Sequence, residues 1–265
     1  MIANSQTTQA LGPLPPKLPS ILKNTQTPKD ESTAEQYERL VDRYYQQVLK
    51  MDAAKANTKT KYWVAIAGGP GSGKTTSAET IAYRLNNRFP DRPPVAVVVP
   101  MDGFHYSRDD LVAKYGPDAL LRRGAPHTFD AEGILEKLTE LKEQGHGVLP
   151  SYSRELSNPF LDGVHVEKHH KIILVEGLYL LHTRDPAWAP LDAVWDERIF
   201  VKAPSREHQK ERLLARSLKN WSLAKAKQWG PGAEGALQLL EFNDVKNMDL
   251  LEYCADQADE VIVTR

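Results

Sequence analysis

Beyond Ser32 the chain alternates short, densely apolar runs with longer stretches whose apolar residues recur every three or four positions. The first long stretch, Ser32 to about Lys55, sets Tyr37, Leu40, Val41, Tyr44, Tyr45 and Val48 at helical spacing. The short runs are Tyr62 to Ala67, Val95 to Met101, Ile172 to Gly177, Arg198 to Ala203 and Glu260 to Thr264. Several are apolar on both faces, the pattern of strands buried inside a parallel sheet. Helical spacing covers Lys74 to Asn87, Ala131 to Gln144, Ser205 to Lys219 and Ala233 to Tyr253. Strand–helix alternation of this kind predicts an α/β protein, a three-layer doubly wound parallel sheet with ligands at the carboxyl ends of its strands. No internal repeat or second core interrupts it, so residues 32–265 are expected to form one domain.

The first 31 residues read differently. Pro13, Pro15, Pro16, Pro19 and Pro28 forbid a continuous helix or a paired strand there, and a disordered tail is expected. No acidic residue precedes Asp30, but arginine is absent too, so the segment does not read as an organelle leader and a cytoplasmic location is expected. The formal charge of −1 lacks the electrostatic footprint of a nucleic-acid binder. No apolar run approaches the length of a membrane span. Cys254 is the only cysteine, excludes an internal disulfide, and falls in an apolar-periodic stretch that points to packing. His165, His169 and His170 lack the cysteines or spaced carboxylates of a zinc set and read as surface residues.

Chemistry enters with "AIAGGPGSGKTTSAET", Ala65 to Thr80. Gly68, four residues, then Gly73, Lys74 and Thr75 make the G-x-x-x-x-G-K-[ST] phosphate-binding pattern, between an expected strand and an expected helix. Glycines let backbone N–H groups face phosphate oxygens, and the helix adds the positive end of its dipole. Gly68, Gly69, Pro70, Gly71, Ser72, Gly73, Lys74, Thr75 and Thr76 are therefore the expected triphosphate cradle, for ATP or GTP. Lys74 is expected at the β- and γ-phosphates and the Thr75 hydroxyl on Mg²⁺.

Two acids end apolar runs, Asp102 after "VAVVVPM" and Glu176 after "IILV". A carboxylate at the end of a buried strand needs a cation or donor to compensate it. We assign Asp102 as the base that accepts a hydroxyl proton and Glu176 as the acid of the metal site; the reverse assignment stays open on sequence alone.

"GGPGSGKTT", "MDGFHYSRDDL", "RRGAPHTFDAEGI", "LPSYSRELSNP" and "ILVEGLYLL", in that order, resemble the phosphoribulokinase, uridine kinase and bacterial-type pantothenate kinase group of P-loop kinases, over roughly residues 62–263. The resemblance implies the P-loop nucleoside triphosphate hydrolase fold of the NMP-kinase type, with ATP and Mg²⁺ and a helical lid at about 205–245. By position it implies Asp102 as base, His105 and Tyr106 on the acceptor side, Arg123 near acceptor and phosphates, and Tyr152 and Arg154 in a segment covering the acceptor. Arg154 stands where pantothenate kinases usually carry histidine, which argues against pantothenate itself. Arg212 and Arg216, one helical turn apart, would meet the transferring phosphoryl group, and Asn243 would border the adenine. Read from the residues alone, Tyr152 and Arg154 lie in a loop between Pro150 and Pro159, and "NWSLAKAKQWGPGAEGA" with Trp221 and Trp229 is a cover or a packing insertion.

The expected function is an ATP- and Mg²⁺-dependent kinase acting on a hydroxyl of a nucleoside, sugar or pantothenate-like alcohol. The alternative is a nucleotide-dependent regulatory or binding protein that hydrolyses slowly. The expected partner is a small-molecule acceptor, with neither nucleic acid nor membrane; a homodimer is among the permitted assemblies.

Overall fold

The computed structural model describes residues 31–54 and 60–265; the proline-rich tail expected over residues 1–31 and the helix end near Lys55 lie outside them, except for Glu31. Five parallel strands form the central sheet: β1 (Tyr62–Ala67), β2 (Ala96–Pro100), β5 (Ile172–Gly177), β6 (Glu197–Lys202) and β7 (Glu260–Val263), in the order β2-β5-β1-β6-β7. Residues 65 and 66 of β1 pair with Val175 and Glu176 of β5 on one side and with Arg198 and Ile199 of β6 on the other. The phosphate loop that follows β1 therefore leaves the middle of the sheet, with a strand on each side.

The pleat sends alternate residues of β1 into two cores. Val64 and Ile66 pack with α1 (Thr33–Ala53) and α2 (Lys74–Asn87), burying Leu40, Tyr44, Ile81 and Leu85. Trp63, Ala65 and Ala67 pack on the opposite face with α4 (Ala131–Gln144) and with Tyr179, Trp188 and Cys254. These are the three expected layers. Helix α1 begins with a capping box, in which Ser32 Oγ accepts from the Glu35 N–H and the Glu35 carboxylate accepts from Ser32. Its basic face meets the buried ends of two strands. Arg43 reaches both Glu197 and Glu260, and Arg39 reaches Glu260 and Glu31.

Three sequence expectations are corrected. The segment read as a loop around Tyr152 is an antiparallel hairpin, β3 (Gly147–Ser153) and β4 (Asn158–Val166), with Pro150 at a register shift between Leu149 and Ser151. The single long helix expected over 233–253 is divided: α7 (Gly232–Leu239), a wide π turn over Leu240–Asp244, α8 (Val245–Leu251), then a 3₁₀ turn. His170 is buried; its Nδ1 accepts from the Glu167 N–H, and its carbonyl accepts from Lys61 Nζ at 2.7 Å. The remaining elements are α3 (Arg108–Tyr115), α5 (Arg206–Lys219) and α6 (Leu223–Trp229). In the tryptophan-containing segment, a Cβ on Gly235 would stand 2.1 Å from the Gly230 carbonyl oxygen and 2.8 Å from Trp221 Cζ2, so α6 and α7 pack backbone to backbone.

Candidate active site

Helix α2 opens at Lys74 directly from Gly73, whose φ of 95° is left-handed and favours glycine. A Cβ at Gly73 would also lie 3.1 Å from Thr264 Cγ2, because the end of β7 braces the loop from behind. Thr264 Oγ1 donates to the Ser72 carbonyl at 2.8 Å and accepts from Arg212 Nη1 at 2.7 Å, while Arg212 Nη2 donates to the Thr264 carbonyl at 3.0 Å. Gln209, also on α5, donates to the Pro70 carbonyl at 2.7 Å. The cradle is thus built from β1, α2, β7 and α5 together.

At the mouth of the cradle the Thr75 hydroxyl donates to Glu176 Oε1 at 3.2 Å. Glu176 is 4% exposed, and its second oxygen, Oε2, is buried without a hydrogen-bond partner among the described residues. Burial pushes its carboxyl above the ordinary range and nearby Asp102 adds to this, against the attraction of Lys74. Ser72 Oγ is likewise buried and unpartnered. Orphaned oxygens beside a left-handed glycine and a helix N-terminus are what a site for phosphate and a divalent cation presents.

Asp102 sits in the 3₁₀ turn Met101–Phe104 at the tip of β2, half-buried. That turn leads into His105 and Tyr106, the residues expected on the acceptor side. Gly103 permits the hairpin to close over it: a Cβ there would stand 2.2 Å from the Pro150 carbonyl oxygen. His105 Nδ1 lies 2.9 Å from the Asp102 carbonyl oxygen, and the ring packs between Phe129 at 3.8 Å and Tyr152 at 4.9 Å between centres. Burial lowers the His105 pKa, Asp102 opposes that and Arg123 adds to it. The ring is neutral, with its proton on Nδ1 facing a carbonyl that can only accept.

Arg122 and Arg123 diverge. Arg122 donates to the Phe242 carbonyl at 2.7 Å and to Asn243 Oδ1 at 2.8 Å. Arg123 lies with its guanidinium carbon 5.8 Å from the centre of the Tyr152 ring, and its three nitrogens are buried without a hydrogen-bond partner among the described residues. From the other direction, Asn243 donates to the Arg123 carbonyl at 2.9 Å and Asn247 to the Gly124 carbonyl at 3.2 Å. Tyr179 donates to that same Gly124 carbonyl at 2.5 Å.

No family model matches the chain. Among curated proteins, the "Putative uridine kinase C227.14" of Schizosaccharomyces pombe is 30% identical over 198 residues, 71% of this chain and 77% of that protein. YggC of Escherichia coli is 32% identical over 182 residues, 67% of this chain and 72% of that protein. The chain belongs to the uridine kinase and pantothenate kinase group of P-loop kinases. The fold agrees: the crystal structure of the Saccharomyces cerevisiae kinase YFH7 superposes with a TM-score of 0.71 at 20% identity, covering 86% of this chain and 98% of that one.

The structure of this P-loop kinase gathers several of the sequence-derived candidates at the carboxyl ends of the central strands. Glu176 accepts from Thr75 and lies within electrostatic reach of Lys74 and Asp102, and Asp102 adjoins His105, which neighbours Tyr152 and Arg123. Three further candidates have their polar groups committed within the fold. Arg212 is committed to Thr264, and Asn243 to Arg122 and the Arg123 carbonyl. The Tyr106 hydroxyl accepts from Lys114 at 2.8 Å. Thr76 is exposed, and Arg154 is exposed in the hairpin turn. Two residues escaped sequence reasoning. Arg122 was overshadowed by its neighbour, although it ties the acceptor segment to the wide turn. Asp244 ends that turn half-buried; burial raises its pKa, against the attraction of Arg216, Arg122 and Lys74. The only sequence signal for it was its place in "EFNDVKN".

Proposed function

We propose that this chain transfers the terminal phosphoryl group of ATP, with Mg²⁺, to a hydroxyl of a small-molecule acceptor such as a nucleoside, sugar or pantothenate-like alcohol. The observation that carries this reading is the pairing, at the carboxyl ends of the central strands, of a cation-ready phosphate cradle after β1 with a half-buried carboxylate, Asp102, after β2, with Glu176 on β5 between them. The donor set fits both groups. The loop N–H groups and Lys74 would hold the triphosphate, and the Thr75 hydroxyl and Glu176 would hold the metal, directly or through its water. Mg²⁺ would supply neutralisation of charge on the phosphate oxygens.

The chain's own residues do the rest. Asp102 accepts the proton of the acceptor hydroxyl, and His105 Nε2, left bare by the Nδ1–H contact to the Asp102 carbonyl, orients that hydroxyl. Lys74 and Arg216 supply positive charge where negative charge spreads in the transition state. Arg212 braces the loop through Thr264. Closure of α6 and α7 over the site would exclude water that otherwise competes for the phosphoryl group.

The test is ATP turnover with Mg²⁺ against nucleosides, sugars, pantothenate and nicotinamide riboside. One acceptor raising ADP formation well above the basal rate supports the kinase, whereas basal turnover answering only to a protein partner supports a regulatory NTPase. With that acceptor, Asp102→Asn should cut kcat by about 10²–10⁴; full retention of activity would remove Asp102 from the role of base.

A further inference from the structure

Arg123 is a permanent charge in the wrong place for a resting protein. Nε, Nη1 and Nη2 are all buried, and none has a hydrogen-bond partner among the described residues. A guanidinium carries five N–H donors, so folding has taken these donors from water with only the face of the Tyr152 ring beside them. Composition does not explain it, because Arg122 beside it spends its donors on Phe242 and Asn243.

The surroundings say which ligand the charge awaits. The cations acting on Asp244, at the phosphate end, are Arg216, Arg122 and Lys74, and the cation acting on Glu176 is Lys74. Arg123 instead acts on His105 and stands over the Tyr152 ring, which packs against the His105 ring. It therefore stands with His105 and Tyr152, on the side proposed for the acceptor. We infer that the acceptor is a small hydroxy compound bearing an oxyanionic group, a carboxylate or phosphate monoester, that pairs with Arg123 in a pocket walled by His105 and Tyr152. The planar fork of a guanidinium matches either oxyanion through two parallel N–H···O bonds. A neutral nucleoside or sugar would close the pocket over an unpaired cation. Sites that leave such a group unpaired reject the wrong ligand by up to about 10⁴–10⁵. Because Arg123 is not wholly shielded, we expect a preference of at least about 100-fold.

The inference rests on the kinase reading, and two measurements on the full chain separate their failures. The first needs no acceptor. Arg123→Met keeps an apolar stem of similar length and removes the charge, so thermal unfolding of the free protein should shift upward by about 2–8 °C. An unchanged or lower Tm would show that the charge is already compensated in the resting protein and would overturn the inference. The second is ATP turnover against matched pairs: glycerate with glycerol, pantothenate with pantothenol, gluconate with glucose, and uridine 5′-monophosphate with uridine. The anionic member of a pair should be preferred in kcat/KM, and the ratio should fall at least tenfold in Arg123→Met. Carboxylate pairs and the phosphate pair distinguish the two oxyanions. A neutral member used as well as its anionic partner would sink the inference and leave the kinase standing. If no member of any pair raises turnover in the wild type, the kinase reading fails and the inference falls with it.

Discussion

Replacing Arg43 with methionine removes the cation that α1 lends to two buried strand ends. Glu260 would keep Arg39, but Glu197 has no other cationic partner among the described residues; it would retain only the Tyr62 hydroxyl at 3.3 Å. Burial penalises the charge of Arg43, yet the attraction of Glu197 and Glu260 outweighs it and raises its pKa. Burial also pushes the Glu197 carboxyl up, against the pull of Arg43, so the glutamate is only partly compensated even in the intact pair. Stranding a buried charge by removing its partner costs about 3–5 kcal/mol. The Arg43 side chain is 36% exposed, so water reaches the site in the variant and a cost of about 2–3 kcal/mol is the better expectation. For a domain of this size that is a fall in Tm of roughly 4–12 °C. A folded-state pKa raised above the unfolded value stabilises at low pH and loses that contribution as pH rises through it. Arg43→Met raises the Glu197 pKa further, so the deficit should be largest near pH 8 and shrink as pH falls toward 5. Thermal unfolding of both proteins at several pH values reads this directly. A deficit below about 0.5 kcal/mol at pH 8, or one independent of pH, would refute the reasoning.

The same sign applies to Glu176, whose pKa burial raises. Glu176→Gln should raise Tm at pH 8, with the gain closing toward acid pH, while Mg²⁺-dependent turnover falls about 10- to 100-fold; a lower Tm at pH 8 would contradict the unpaired oxygen. Gly73→Ala forces a left-handed φ of 95° on a residue with a Cβ and presses it on Thr264, so stability should fall by about 1–2 kcal/mol and ATP-analogue binding should weaken. Unaltered binding by calorimetry would mean that the loop does not use this conformation. Burial pushes the Cys254 thiol up to about 11, so iodoacetamide at pH 8 should leave it unmodified in the native protein and label it in urea.

The sheet was legible because its strands are apolar on both faces, a pattern few other structures share. The bounds expected for β1, β5, α2 and α4 match the structure residue for residue. The hairpin was not legible, because Pro150 and Pro159 break the alternation that marks a strand. A two-stranded ribbon tolerates them, and Pro150 sits at the register shift, where the ladder needs no N–H from it. The wide turn at Leu240–Asp244 leaves no trace in spacing, since one extra residue inside a helix changes the period by less than side-chain choice does. At the site, the motif fixed which residues follow which strand, while the division of labour between Arg122 and Arg123 depends on which way two adjacent side chains turn. Arg212 illustrates the same limit. Its spacing from Arg216 puts both on one face of α5, but only packing shows that β7 claims the first of them.

The wide turn also decides where the molecule can bend. Arg122, Asn243 and Asn247 stitch it to the carbonyls and side chains of residues 122–124, which anchors the turn to that segment. Helix α5 is held on its other side, by Gln209 to Pro70 and by Arg212 to Thr264, so a cover that swings would have to pivot between these two anchors, within α6 and α7. Residues 220–239 would then form the door and residues 240–251 its frame. In amide exchange the former should open locally, while the latter should open only with the domain as a whole.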